Sequence, residues 1–127
     1  MKTLNYTLAV KRVYLPPDVG DGIRILVDRL WPRGIARDKA QIDLWPRDIA
    51  PSAALRKRFH GKPDAYDAFR SAYFEELKSE TAQSAVKSLL DHLREGPVTL
   101  LYAARDERRN NAVALKEWLE RQRKRRT

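Results

Sequence analysis

The sequence predicts a small three-layer α/β domain, Rossmann-like, with a short and mainly parallel sheet flanked by helices. Two observations carry this. The runs Ile25-Leu26-Val27 and Val98-Thr99-Leu100-Leu101-Tyr102-Ala103 are near-continuous apolar segments of strand length, the pattern of strands buried on both faces. Between and after them lie segments with helical apolar spacing, and strand-to-helix succession of this kind places helices on the faces of a parallel sheet.

In chain order, Thr7–Tyr14 is a first strand, rich in β-branched and aromatic residues. Pro16-Pro17-Asp18 and Gly20-Asp21-Gly22 break it. The central strand runs from Ile23 or Arg24 to Leu30. Ile35–Ile42 reads as one or two helical turns, and Leu44-Trp45-Pro46 as an irregular segment that packs its tryptophan. Ser52 is a good N-cap for a helix over Ala53–Phe59, with Leu55 and Phe59 at i and i+4. Gly61 and Pro63 stop it, and Asp64 is the expected N-cap of a helix carrying Tyr66, Phe69, Tyr73 and Leu77. Ser79 or Thr81 starts another, with Val86, Leu89, Leu90 and Leu93 inward. Gly96 is expected in the left-handed conformation past its end. After the strand at 98–103, a polar loop leads to a helix beginning at Asn110 or Asn111, with an apolar stripe of Leu115, Trp118 and Leu119.

The 127 residues make one domain, 1–127, long enough for a core without staples. The absence of cysteine excludes disulfides, thiolate metal sites and a cysteine nucleophile. Only His60 and His92 are histidines, and no ligand-spaced cluster suggests a metal. No metal or cofactor is expected. No apolar run reaches membrane-span length and no apolar signal core opens the chain, so a cytoplasmic soluble protein is the expectation. The net charge of +9 points to an anionic partner. Much of that charge sits at the end, where Lys116, Arg121, Arg123, Lys124, Arg125 and Arg126 face only Glu117 and Glu120. The basic helix end at 121–127 is either a frayed, solvated terminus or an arm for nucleic acid.

Charged residues collect where the two apolar strands should leave the sheet. Asp28, Arg29 and Arg33 follow the central one; Tyr102, Arg105, Asp106, Asn110 and Asn111 follow the later one, and Arg12 ends the first. Ligands of open α/β sheets lie outside the carboxyl ends of strands. Arginine supplies a planar fork for phosphate or carboxylate, and a helix N-terminus favours an anion. The competing structural reading makes Asp28 the ion-pair partner of an arginine and Asn110 only an N-cap. His60, at a helix end, is either a C-terminal cap favoured by the dipole or a general acid–base group over the pocket. His92, inside a helix, is structural, and Trp31 and Trp45 are packing anchors. There is no Gly-rich phosphate loop and no serine elbow.

Arg12-Val13-Tyr14, the run from Asp21 to Gly34 that includes Asp28-Arg29-Leu30-Trp31-Pro32-Arg33-Gly34, Ala50-Pro51-Ser52, Leu55-Arg56-Lys57-Arg58-Phe59 and Leu100–Asp106 together resemble the DUF488 family in its YeaO-like branch. The resemblance covers nearly the whole chain and implies a small α/β protein without an established activity. Broader relatives tend to carry a cysteine at the position of Tyr102 and a Cys-His-Arg run where this chain has Asn110-Asn111-Ala112. The YeaO-like branch commonly has Asn-His there, so Asn111 stands in place of a histidine. Asparagine orients a ligand by hydrogen bonds but does not titrate.

Three functions follow as expectations. The first is a site for a small anionic, phosphate- or nucleotide-like ligand. Asp28 would orient or act as base with His60 as the second catalytic candidate; Arg12, Arg29 and Arg33 would hold the anion; Tyr102, Arg105, Asp106, Asn110 and Asn111 would line the site. The second is nucleic-acid binding through the basic C-terminus, and the third is a non-catalytic interaction module.

Overall fold

The computed structural model describes residues 6–126. Three strands, β1 (Leu8–Arg12), β2 (Ile23–Leu26) and β3 (Val98–Tyr102), form a wholly parallel sheet in the order β1-β3-β2. The helices are α1 (Arg37–Ala40), α2 (Ala53–Phe59), α3 (Tyr66–Glu76), α4 (Glu80–Leu93) and α5 (Asn111–Arg126). The α/β class is thus observed, with β3 central and buried along its whole length.

Alternation along the strands divides the core. Leu8, Ile25, Val27, Val98, Leu100 and Tyr102 join the large cluster formed with α2–α5, including Tyr73, Leu77, Leu89, Leu93, Leu115 and Leu119. Leu26, Leu101 and Val13 face the other way, under Trp31, Ile35, Ile42 and Trp45. That second layer is thin: an irregular segment with the single turn of α1. The two tryptophans anchor it, edge to face at 5.6 Å. Trp31 Nε1–H donates to the Ile35 carbonyl and Trp45 Nε1–H to that of Asp28, so each half-buried ring satisfies its one donor.

Ser52 and Ser79 cap α2 and α4 as their positions predict, each accepting from a backbone N–H three residues on. Three local expectations fail. Asp64 does not cap α3: Pro63–Ala65 forms a 3-10 turn, which delays the helix to Tyr66. Gly96 is not left-handed; α4 closes by Arg94, Glu95 and Gly96 N–H groups donating to Asp91 and His92 carbonyls. The third is the end of the central strand, placed at Leu30 by sequence and at Leu26 by structure.

The strand ends early because side chains replace its ladder. Val27 N–H still donates to the Leu101 carbonyl at 3.1 Å. The next parallel bond would run from Ala103 N–H to the Val27 carbonyl. Instead Ala103 N–H donates to Asp28 Oδ2 at 2.9 Å, and the Val27 carbonyl accepts Asn111 Nδ2 at 3.0 Å. At the opposite end, Gly22 (φ 66°) starts β2 against Pro97; a Cβ there would lie 2.1 Å from the Pro97 carbonyl oxygen, so only glycine fits.

Candidate functional site

The carboxyl ends of β2 and β3 open into a cleft of about 780 Å3. Its walls come from four segments: 28–33 after β2, 103–111 after β3, the end of α2 with the turn 59–63, and the start of α3. The spatial expectation that the tails of two interior strands meet is realised, since Arg33 and Asn110 line the same space.

At the floor lies Asp28. Its Oδ2 accepts Ala103 N–H and its Oδ1 accepts Asn111 Nδ2 at 3.0 Å. The carboxylate therefore ties β3 to α5 and is not the arginine partner that the structural reading foresaw. Burial pushes the Asp28 carboxyl above its ordinary value, against the opposing hydrogen bonds from Asn111 and Ala103 and the field of Arg56. Asn110 caps α5, its Oδ1 accepting Val113 N–H at 2.9 Å, while its Nδ2 donates to the Asp106 carbonyl. The Tyr66 hydroxyl donates to the Asn110 carbonyl at 3.1 Å, joining α3 to the same corner.

Arg29, Arg33, Arg105, Asp106, Asn110, Asn111, Asp28 and His60 all line the cleft. Arg29 is anchored, its Nε donating to the Pro51 carbonyl at 3.0 Å. Asp106 is turned onto its own loop, accepting the N–H groups of Arg108 and Arg109, which hold its carboxyl below its ordinary value. His60, the C-cap of α2, lies exposed on the rim. Two candidates stand elsewhere. Arg12 donates to the Ala104 and Ala103 carbonyls and covers the Tyr14 ring at 5.0 Å, bracing the outside of the β3 loop. Tyr102 is buried in the main core, because its position in β3 points it at α5 and not along the strand axis.

Sequence reasoning missed Arg56, Lys62 and Arg109, which line the cleft too. Their signal was present: Arg56 sits between the inward Leu55 and Phe59, Lys62 in the stop signal after α2, and Arg109 in the polar loop. What sequence lacked was the docking of α2 beside the strand ends. Phe59, Tyr66 and Phe69, one wall of the cleft, form an aromatic ladder with centroids 5.9 and 6.0 Å apart.

At the basic C-terminus, Arg121 pairs with Glu117 at 2.9 Å, and Arg123 with Glu120 while donating to the Tyr6 carbonyl. Residue 127 lies outside the described residues. Among the described residues no group of metal-ligating side chains assembles, and no helix is long and apolar enough to cross a membrane.

The chain is similar to proteins that carry no assigned activity. The uncharacterized protein YeaO of Escherichia coli (strain K12) is 46% identical over 109 residues, 86% of this chain and 93% of its own. The uncharacterized proteins Mb3100c of Mycobacterium bovis and Rv3073c of Mycobacterium tuberculosis are each 40% identical over 110 residues, 87% of this chain and 91% of theirs. No solved structure matches. A family model described as "Inactive DUF488-N3 subclade" matches residues 7–127. On that match and the identity to YeaO, the chain belongs to the DUF488 family, within its YeaO-like relatives.

Proposed function

We propose that the protein binds a small phosphate-bearing anion in the cleft and does not chemically transform it. The observation that carries the reading is cationic charge in excess of the cleft's two carboxylates, Asp28 and Asp106. Arg33, Arg56, Lys62, Arg105 and Arg109 line the cleft, and among the described residues none of these side chains makes a hydrogen bond or ion pair. Five cations sharing one concavity repel each other, and a multivalent anion relieves that repulsion. Guanidinium forks suit phosphate oxygens, and the volume lies within the roughly 300–1,000 Å3 typical of ligand sites.

The non-catalytic part rests on the floor. Each Asp28 oxygen already accepts one protein N–H, so the carboxylate is fixed as part of the scaffold and keeps only acceptor capacity towards a ligand. Asn111 supplies no titrating group, and among the described residues no side chain hydrogen-bonds His60 to orient it for proton transfer. The word "inactive" in the family description agrees with this.

The test is thermal denaturation with pyrophosphate. A ligand present at about 100 times its Kd adds about 2.7 kcal/mol, a rise in Tm on the order of 10 °C for a domain of this size. The Arg33→Ala/Arg105→Ala variant loses most of that rise. No shift with pyrophosphate or any nucleotide, or an equal shift in the variant, refutes the reading.

A further inference from the structure

The cleft is not uniformly basic. Its cations stand on the rim and come from four different loops and helix ends. The cleft also has apolar lining: Leu30 and Pro32 from the segment after β2, Phe59 from the end of α2 and Phe69 from α3. Leu30 is 61% exposed, a large apolar side chain held open at the cleft mouth. Apolar surface and aromatic rings lining one cleft suit a flat, largely apolar ligand body.

The floor has a third chemistry. Asn111 directs its Nδ2 at two acceptors, the Val27 carbonyl and Asp28 Oδ1, which fixes the amide orientation. Its Oδ1 is left as an acceptor. No polar side-chain atom among the described residues is fully buried without a partner, so that oxygen keeps some exposure, and Asn111 itself lines the cleft. Each Asp28 oxygen accepts one protein hydrogen bond and retains capacity for a second. Asp28 and Asn111 thus offer acceptors and no free side-chain donor. A ligand seated there must present N–H or O–H groups downward, its flat body to the walls and its negative charge to the rim.

Resting on the anion-binding reading above, we infer that the ligand is a nucleotide held base-inward, with a base edge of adjacent N–H donors against Asp28 and Asn111 and its phosphates among Arg33, Arg56, Arg105 and Arg109. A guanine edge, with a ring N–H beside an exocyclic amine, satisfies a carboxylate with two parallel bonds. Adenine presents a ring-nitrogen lone pair beside its amine, and uracil flanks its single N–H with carbonyls. Both set acceptors against acceptors. A site built to hydrogen-bond a ligand group discriminates strongly against analogues that lack it.

Calorimetric titration of the intact protein with guanosine, inosine and adenosine diphosphates and with pyrophosphate tests this. Guanosine diphosphate binds at least about tenfold more tightly than pyrophosphate, and inosine diphosphate, lacking the exocyclic amine, falls between guanosine and adenosine diphosphates. Leu30→Ala, at an exposed position with no role in the core, weakens guanosine diphosphate several-fold and leaves pyrophosphate unchanged. Asp28→Asn abolishes the preference for guanosine over adenosine; if that variant does not fold, Leu30→Ala and the nucleotide series decide alone. Equal affinity for guanosine and adenosine diphosphates overturns the inference, as does pyrophosphate binding as tightly as either, and in both cases the anion site survives. Failure of all four to bind overturns both readings.

Discussion

The two ends of the sheet each carry arginine, and they treat it oppositely. At the amino end, Arg24 is 4% exposed and fully engaged. Its guanidinium donates to Asp21 Oδ2 at 2.6 Å and to the Ala40 carbonyl at 2.9 Å, and its Nε to the Gln41 carbonyl. Lys11 Nζ joins the same carboxylate at 3.0 Å, and the Thr99 hydroxyl donates to the Asp21 carbonyl. At the carboxyl end Arg33, Arg56, Arg105 and Arg109 are exposed, and among the described residues their side chains make no hydrogen bond or ion pair. A buried charge must be neutralised and hydrogen-bonded or the fold is lost. Cations left without partners in a concavity answer to something other than folding.

The largest effect expected from this contrast is at the amino end. Arg24→Ala orphans the Ala40 and Gln41 carbonyls and leaves Asp21 with Lys11 as its one cationic partner among the described residues, at a cost of about 3–5 kcal/mol. Urea denaturation should show a lower midpoint with an unchanged slope. A midpoint unmoved by the substitution would mean that the network is solvated and the contrast false.

The two carboxylates sharpen the comparison through pH. Burial pushes Asp21 up, but the hydrogen bonds from Lys11, the Asp18 N–H and Arg24 outweigh it and hold the carboxyl below its ordinary 3.8. Its contribution is present above 3.8 and is lost as pH falls through the lower folded value. Asp28 behaves in reverse, since its folded value is raised. The folded state then binds more protons, and the stability attributable to Asp28 grows as pH falls through the folded value towards 3.8 and declines as pH rises. Asp28→Ala, which strands Ala103 N–H and leaves the Asn111 amide only its bond to the Val27 carbonyl, should cost about 2 kcal/mol at pH 7. Its deficit relative to the parent should widen on mild acidification, whereas that of Asp21→Asn narrows below 3.8. Parallel pH profiles for the two variants would erase the distinction.

A smaller effect separates scaffold from ligand site within the cleft. Asn110 was expected either to bind a ligand or to cap a helix, and its side chain is spent on Val113 N–H and the Asp106 carbonyl. Asn110→Ala should therefore cost about 1–2 kcal/mol by losing the cap. Pyrophosphate affinity measured below the variant's unfolding temperature should be unaltered. A large drop in affinity with intact stability would make Asn110 a ligand contact.

What could be read from residues alone follows the range of the forces involved. Helix caps such as Ser52 and Ser79 and the buried strand Val98–Tyr102 depend on neighbours a few positions away, and their patterns are local. The early end of β2 was not legible, because the groups that replace its ladder, Ala103 and Asn111, lie 75 and 83 residues from Asp28. The meeting of the two strand tails followed from the parallel topology that the apolar runs imply. The inclusion of Arg56 and Lys62 did not, because it depends on where α2 docks. Tyr102 was misplaced for a subtler reason: alternation along β3 puts it on the helix-covered face, and the position of the strand's last residue concealed that.

The smallest expected effect is the most discriminating. Arg33→Ala/Arg105→Ala should leave unliganded stability within about 0.5 kcal/mol of the parent, the usual range for surface substitutions that break no structural contact. Removing two like charges from a shared concavity even relieves some repulsion, so the sign can be slightly favourable, more so at low ionic strength where screening is weakest. Chemical denaturation of both proteins at low and at physiological salt measures this directly. A loss above about 1 kcal/mol would show that these guanidiniums hold the fold together as Arg24 does, and the two ends of the sheet would then differ in geometry but not in purpose.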